Sequence, residues 1–150
     1  MVRLVYRSSS SGKIDLPALQ EILQASRKNN RRLGVTGLLL ADSNGFLQVL
    51  EGEVHAVNGL FQKVSRDRRH AEVVLVSYEP VEARSFSRWN MRGVGLFTYN
   101  EQLREGLVEK YGLRKSDSAF DLPPASALAL LLEVALTVPE ESADDEGEAP

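Results

Sequence analysis

The 150-residue sequence contains no cysteine. That absence excludes a disulfide scaffold, a thiolate nucleophile, a CxxC redox pair and any Cys-ligated zinc site. Histidine is scarce as well. His55 and His70 are the only two and stand fifteen residues apart, too few for a His-rich cage. Joined to Glu51 and Glu53 they make only a poor metal set, because closed sites want three or four supported ligands. Long hydrophobic runs are missing too. The most apolar stretch, Ala127 to Val138, carries Glu133 and falls short of the roughly 20 residues that a membrane span needs. The opening MVRLVYRSSSSGK is broken by Arg3 and Arg7 and is too polar for a secretory signal peptide. A cytoplasmic protein without a membrane partner is expected. Nor does one sign of charge dominate, with 18 Lys plus Arg against 21 Asp plus Glu. Six of the acids lie in the last eleven residues, so residues 1–139 carry only +3. No nucleic-acid partner is implied.

What is present is the profile of one domain, 43% hydrophobic and 26% charged. Val2, Leu4 and Tyr6 alternate with Arg3, Val5 and Arg7, which reads as a strand, and Ser8–Gly12 as a flexible break. Asp15 and Pro17 open a helix whose stripe of Leu16, Leu19, Ile22 and Leu23 runs toward Asn29 and Asn30 at its end. Strands 35–41 and 46–52 flank Asp42-Ser43-Asn44-Gly45, a hairpin turn. A second helix covers about 53–66, and strands follow at 73–78 and 91–99. The order βαββαββ predicts an α+β, ferredoxin-like sandwich: a five-stranded mixed sheet with two helices on one face. Strand 46–52 is apolar on both parities, so the other face must also be covered. Helices at about 101–111 and from Pro123-Pro124 are the expected cover, the latter through Leu128, Leu131, Leu132, Ala135 and Leu136. Leu130, Val134 and Val138 widen that stripe, which suggests contact with another protomer. The division expected is a core over 1–100, a helical extension over 101–139 and a disordered acidic tail over 140–150.

Familiar catalytic motifs fail. Ser8–Lys13 imitates a phosphate loop, but Arg7 stands where the Walker pattern needs glycine and Ile14 follows the lysine. No G-x-S-x-G elbow accompanies the serines, which read as turn residues. What remains are polar side chains on core-facing elements. Tyr6 shares a face with Val2 and Leu4, and Gln48 shares one with Phe46 and Leu50 in an otherwise apolar strand. A carboxamide facing a core must find several hydrogen bonds or cost on the order of 1–3 kcal/mol. Amides, a carboxylate and a guanidinium together suit a ring with alternating N–H and C=O groups.

These residues, in this order, resemble the BLUF domains, blue-light sensors that use a flavin. The resemblance covers about residues 1–110. It rests on LVYRS with Tyr6, KNNRRLGVTGLLL with Asn30, FLQVLEG with Gln48, DRRH at 67–70, and FSRWNM with Trp89 and Met91. Each fragment alone is weak; five in order at family spacing are specific. The resemblance implies that Asn29, Asn30, Gln48, Lys63, Asp67, Arg69 and His70 bind the flavin, FAD first, with FMN or riboflavin as alternatives. It implies that Tyr6 and Gln48 are the photoactive pair, and that Trp89 and Met91 carry the signal onward. Without a cysteine no flavin–thiol adduct can form, so the switch must be made of hydrogen bonds. The resemblance is to short BLUF proteins, which act through a homo-oligomer and a separate protein partner and are not enzymes. Two rivals share the fold class: an acylphosphatase-like enzyme using Arg7, Asn29 and Asn30, and an interaction module that holds no chromophore.

Overall fold

The computed structural model describes residues 1–114 and 118–137. The elements are β1 (Val2–Ser10), α1 (Leu16–Leu33), β2 (Thr36–Asp42), β3 (Gly45–Gly52), α2 (Val54–Ser65), β4 (His70–Pro80), β5 (Arg92–Gly95), α3 (Glu101–Tyr111) and α4 (Pro124–Thr137). The strands form one sheet in the order β4-β1-β3-β2-β5. β1 runs antiparallel to β3 and β4, β2 is antiparallel to β3, and β5 joins β2 in parallel over four residues. The sheet is therefore mixed, and the fold is the expected α+β sandwich. No described helix is long and apolar enough to cross a membrane.

Local chemistry accounts for the boundaries. The Asp15 side chain accepts from Ala18 N–H at 3.0 Å to start α1, with Pro17 in the first turn. Gly34, at φ 68°, closes it in the left-handed region, where its N–H reaches the Arg31 carbonyl. Asn29 and Asn30 thus lie inside α1, a turn before its end. Glu53 caps α2 by accepting from the backbone N–H groups of His55 and Ala56.

β3 is buried along its whole length, as two-sided apolar patterning requires. Phe46 and Leu50 face one core with Leu4, Tyr6, Leu39, Leu19 and Val57, under α1 and α2. Leu47 and Val49 face a second core with Val5, Leu38, Phe86 and Trp89. Ala127, Leu130, Leu131 and Val134 of α4 complete that second core and are all 0% exposed. This corrects the expected stripe. Leu130 and Val134 pack within the chain and mark no contact with another protomer, whereas Leu136 is 87% exposed. Val138 and the tail 140–150 lie outside the described residues.

Three further expectations change. Ser8–Ser10 continue β1 and are not a break. β4 begins at His70, earlier than position 73. The last strand stops at Gly95, where Leu96–Thr98 turn into a short 3-10 helix.

Candidate functional site

α1 and α2 both lie over the first face of the sheet. Between them lies a cavity of about 240 Å³. Ligand clefts commonly run to roughly 300–1,000 Å³, so this one has room for a planar ring system and not for a whole dinucleotide. Its floor is the sheet: Tyr6 from β1, Gln48 and Leu50 from β3, Leu39 from β2. Ile22 and Leu60 make apolar walls, and Asn29, Asn30, Lys63, Asp67, Arg69 and His70 supply the polar lining.

Two hydrogen bonds join a row of three side chains that starts on the floor. Tyr6 and Gln48 are directly opposed in the β1–β3 register. The Tyr6 hydroxyl donates to Gln48 Oε1. Gln48 Nε2 in turn donates to Met91 Sδ at 3.1 Å. Tyr6 is 1% exposed, Gln48 7% and Met91 0%, so all three groups are buried. Burial holds the Tyr6 phenol well above the usual tyrosine range, and the nearby Asp67 charge adds to the effect. Tyr6 is therefore a neutral hydrogen-bond donor. Phe61 lies 5.6 Å from the Tyr6 ring, and His70 packs edge-on at 6.2 Å.

At the rim, Asp67 accepts from the Arg69 side chain and backbone, including Nη2 at 2.5 Å. That guanidinium holds the Asp67 carboxyl down to about 2. His70 is kept below its ordinary value chiefly by burial. Its Nδ1 lies 2.6 Å from Ser8 Oγ. On the other side, Asn29 Oδ1 accepts from Arg32 at 2.8 Å. Asn30, 2% exposed, donates to the Asn90 carbonyl at 3.4 Å, so one side chain touches both cavity and connector.

Every expected flavin contact thus lines one cavity, and Tyr6 and Gln48, the expected photoactive pair, lie on its floor. The two expected signalling residues part company. Met91 sits against Gln48 on the cavity side, while Trp89 belongs to the second core, between the guanidinium groups of Arg88 and Arg92. Arg7 faces away from the cavity and pairs with Asp121 at 3.4 Å. It does not join Asn29 and Asn30, so the phosphatase-like constellation is not assembled. No group of three or more potential metal ligands occurs among the described residues. Sequence reasoning missed Ser8 and Asn90. Ser8 shares the strand parity of Leu4 and Tyr6, which was the available signal. Asn90 offered only its place between Trp89 and Met91.

The family profile described as BLUF, sensors of blue-light using FAD, matches residues 1–92. The chain belongs to the BLUF family. Its cofactor class is accordingly flavin. Photoactivated adenylate cyclase subunit alpha of Euglena gracilis is 33% identical over 92 residues, 60% of this chain and 9% of that protein. The blue light- and temperature-regulated antirepressor BluF of Escherichia coli K12 is 26% identical over 122 residues, 81% of this chain and 29% of its own length. The chain thus spans only a small part of these curated relatives. Among solved structures, the dark state of the BLUF protein BlrB superposes with TM-score 0.69 at 32% identity, covering 91% of this chain and 96% of that one. Photo-activated BlsA gives TM-score 0.78 at 29% identity, covering 94% and 99%. BLUF domains are photosensors, and some relatives join them to cyclases, as the Euglena subunit's name states.

Proposed function

We propose that this BLUF chain senses blue light by holding a flavin ring between α1 and α2, over the Tyr6–Gln48–Met91 row. The observation that carries the reading is that row, a buried amide bonded at one end to a phenol and at the other to a thioether. The cavity fits the group. Asn29, Asn30, Lys63, Arg69, Asp67 and His70 offer donors and acceptors to a ring edge of alternating N–H and C=O, and the apolar walls suit its faces. The part of the cofactor beyond the ring is left outside, so these residues favour no particular flavin beyond the FAD of the family.

A bound flavin would supply an excited state able to take up an electron. Tyr6 would give up the proton on its hydroxyl oxygen only together with an electron, since burial makes a lone phenolate costly, and Gln48 Oε1, which already accepts from that hydroxyl, is the atom the proton would move toward. Both return to Tyr6, so the net chemistry is zero and only Gln48 is left changed. Its amide, rotated or tautomerised, presents different donors and acceptors. Met91 then loses or exchanges its N–H contact, and the change passes along the chain to Trp89 and β5. The free energy involved is modest, about 0.5–1.5 kcal/mol per rearranged bond. The element it moves must therefore sit close to balance between two arrangements.

Residues 1–100 are the sensing core and 101–139 the output extension in this reading. α3 and α4 leave a groove lined by Tyr99, Leu103, Leu107, Lys110 and Glu133, with Leu103 54% exposed. That groove is the surface for self-association and for a separate effector protein.

The test is an absorption spectrum in the dark, after blue light and during recovery. A flavin spectrum with a small reversible red shift supports the sensor. In Tyr6→Phe and Gln48→Leu the flavin should remain and the shift disappear. A normal photocycle in either variant overturns the mechanism, and a protein that takes up no flavin overturns the sensor reading itself. Size-exclusion chromatography in dark and light tests the output surface; an unchanged monomer with no light-dependent partner defeats it.

A further inference from the structure

The eleven residues 81–91 carry the chain from β4, at one edge of the sheet, to β5 at the other. They start against the second core, where Phe86 is 1% exposed, and end at Met91 on the cavity side. The two ends of this strap are held differently.

At the near end stands Glu51, 0% exposed. Its Oε1 accepts from Phe86 N–H at 2.6 Å, and its Oε2 from Ser85 N–H at 3.0 Å and Arg3 Nε at 2.8 Å. Arg3, opposite Glu51 on β1, also donates to Ser85 Oγ at 2.6 Å and to Glu79 at 3.1 Å. Arg84 adds bonds to Thr36 Oγ1 at 2.8 Å and to the Glu51 carbonyl at 3.1 Å. The far end is held by longer contacts. Gly37 N–H reaches the Trp89 carbonyl at 3.1 Å, Arg27 Nε the Met91 carbonyl at 3.2 Å and Asn30 the Asn90 carbonyl at 3.4 Å, while the Asn90 side chain donates to the Val35 carbonyl at 3.2 Å and accepts from Arg31 Nε at 3.4 Å. Bonds between an ionised carboxylate and a guanidinium or backbone N–H are short and strong, and those at Glu51 run 2.6–3.0 Å against 3.1–3.4 Å at the far end, so the strap's hydrogen bonds hold 84–86 more tightly than 89–91. An ion pair this buried adds little to stability that an apolar cross-strand pair would not. Aiming two successive backbone N–H groups at one carboxylate, however, is something only the carboxylate does.

We propose that Arg3 and Glu51 are positioning residues of the photoswitch: they anchor the strap, confine its light-driven movement to residues 87–91, and return Met91 to Gln48 in the dark. The inference rests on the sensor reading above and adds to it an element remote from the cavity.

Glu51→Gln, made in the full chain loaded with flavin, should keep the dark spectrum and the initial red shift. Dark recovery should slow about tenfold, the scale of having to re-order one more backbone residue. Acrylamide quenching of Trp89, the only tryptophan, should rise in the dark. Val134→Ala, which loosens the second core from the α4 side and removes none of the hydrogen bonds at Glu51, should lower the melting temperature and leave recovery unchanged. If Glu51→Gln does not fold, Arg84→Met leaves the buried pair intact and carries the same expectation. Recovery within twofold of the parent, with Trp89 quenching unchanged, overturns the anchor. So does an equal slowing in Val134→Ala, which would make the effect one of stability. A parent chain that shows no red shift defeats the sensor reading instead; Trp89 quenching, which needs no photochemistry, then still decides the anchor.

Discussion

The bond from Tyr6 to Gln48 can be tested as an energy as well as a switch. Gln48→Leu leaves the Tyr6 hydroxyl, on a residue 1% exposed, without its acceptor. A buried hydroxyl stripped of its partner costs about 1–3 kcal/mol. The amide's contact to Met91 Sδ is lost as well, but sulfur is a weak acceptor and this adds little. Tyr6→Phe leaves Gln48 Oε1 without its donor, again at about 1–3 kcal/mol. In the double variant neither orphan exists, because both polar ends have gone. The double should therefore be no less stable than the worse single, with a coupling of about 1–3 kcal/mol between the positions. Urea unfolding of all four proteins, at one flavin concentration so that mass action is shared, gives the cycle. If the two losses add to within about 0.5 kcal/mol, the side chains do not depend on each other and the row is not the unit described here.

Other expectations follow from burial, charge and packing. Burial keeps His70 neutral below its usual 6.5, while the unfolded chain protonates near that value. Folding stability should thus be level above pH 6.5 and fall as the pH drops below it, and His70→Gln should flatten that slope in urea titrations across pH 7 to 5. Asp67, held at about 2 against 3.8, contributes stability that is lost only as the pH falls from about 3.8 toward 2. Gly37→Ala would bring a methyl group within 2.0 Å of the Val49 carbonyl oxygen and 3.2 Å of Met91 Cε. It should cost about 1–3 kcal/mol or more and change dark recovery by displacing Met91; a parental melting temperature and photocycle would contradict that. Leu131→Ala should destabilise by about 2–5 kcal/mol in denaturant, while Leu136→Ala, at an 87% exposed position, should be nearly silent. Comparable losses at both positions would restore the helix face expected from the sequence, which held Leu131 and Leu136 together.

Legibility tracked how far each element depends on its own residues. The 42–45 turn and β3 could be read because a hairpin turn and two-sided apolarity are local signals. Gln48 stood out because a lone amide in such a strand has no ordinary reason to be there. β4 was read short because it is an edge strand with mostly half-buried or exposed side chains, so its ends carry no alternation. The α4 face was misjudged since leucine and alanine occur all round that helix, and only the sheet beneath selects Ala127, Leu130, Leu131 and Val134. In the sequence Glu51 offers only a member of a poor metal set, and Arg3 only a polar alternate of the first strand. Their burial depends on a loop from β4 folding over them, which no spacing in the sequence announces.

The family match ends at residue 92, yet the side chains that close the second core lie at 127–134. That fixes the size of the portable unit. A light-sensing cassette cut at the end of the family match, or after β5, would leave Val5, Leu38, Leu47 and Val49 facing water. Such a cassette should be sticky and poorly soluble when grafted onto another protein. One carried through Thr137 brings its own lid for that face. Whatever output is attached, the graft point that respects the packing comes after α4, and the helix that shields the sheet is then also the rod on which the new partner rides.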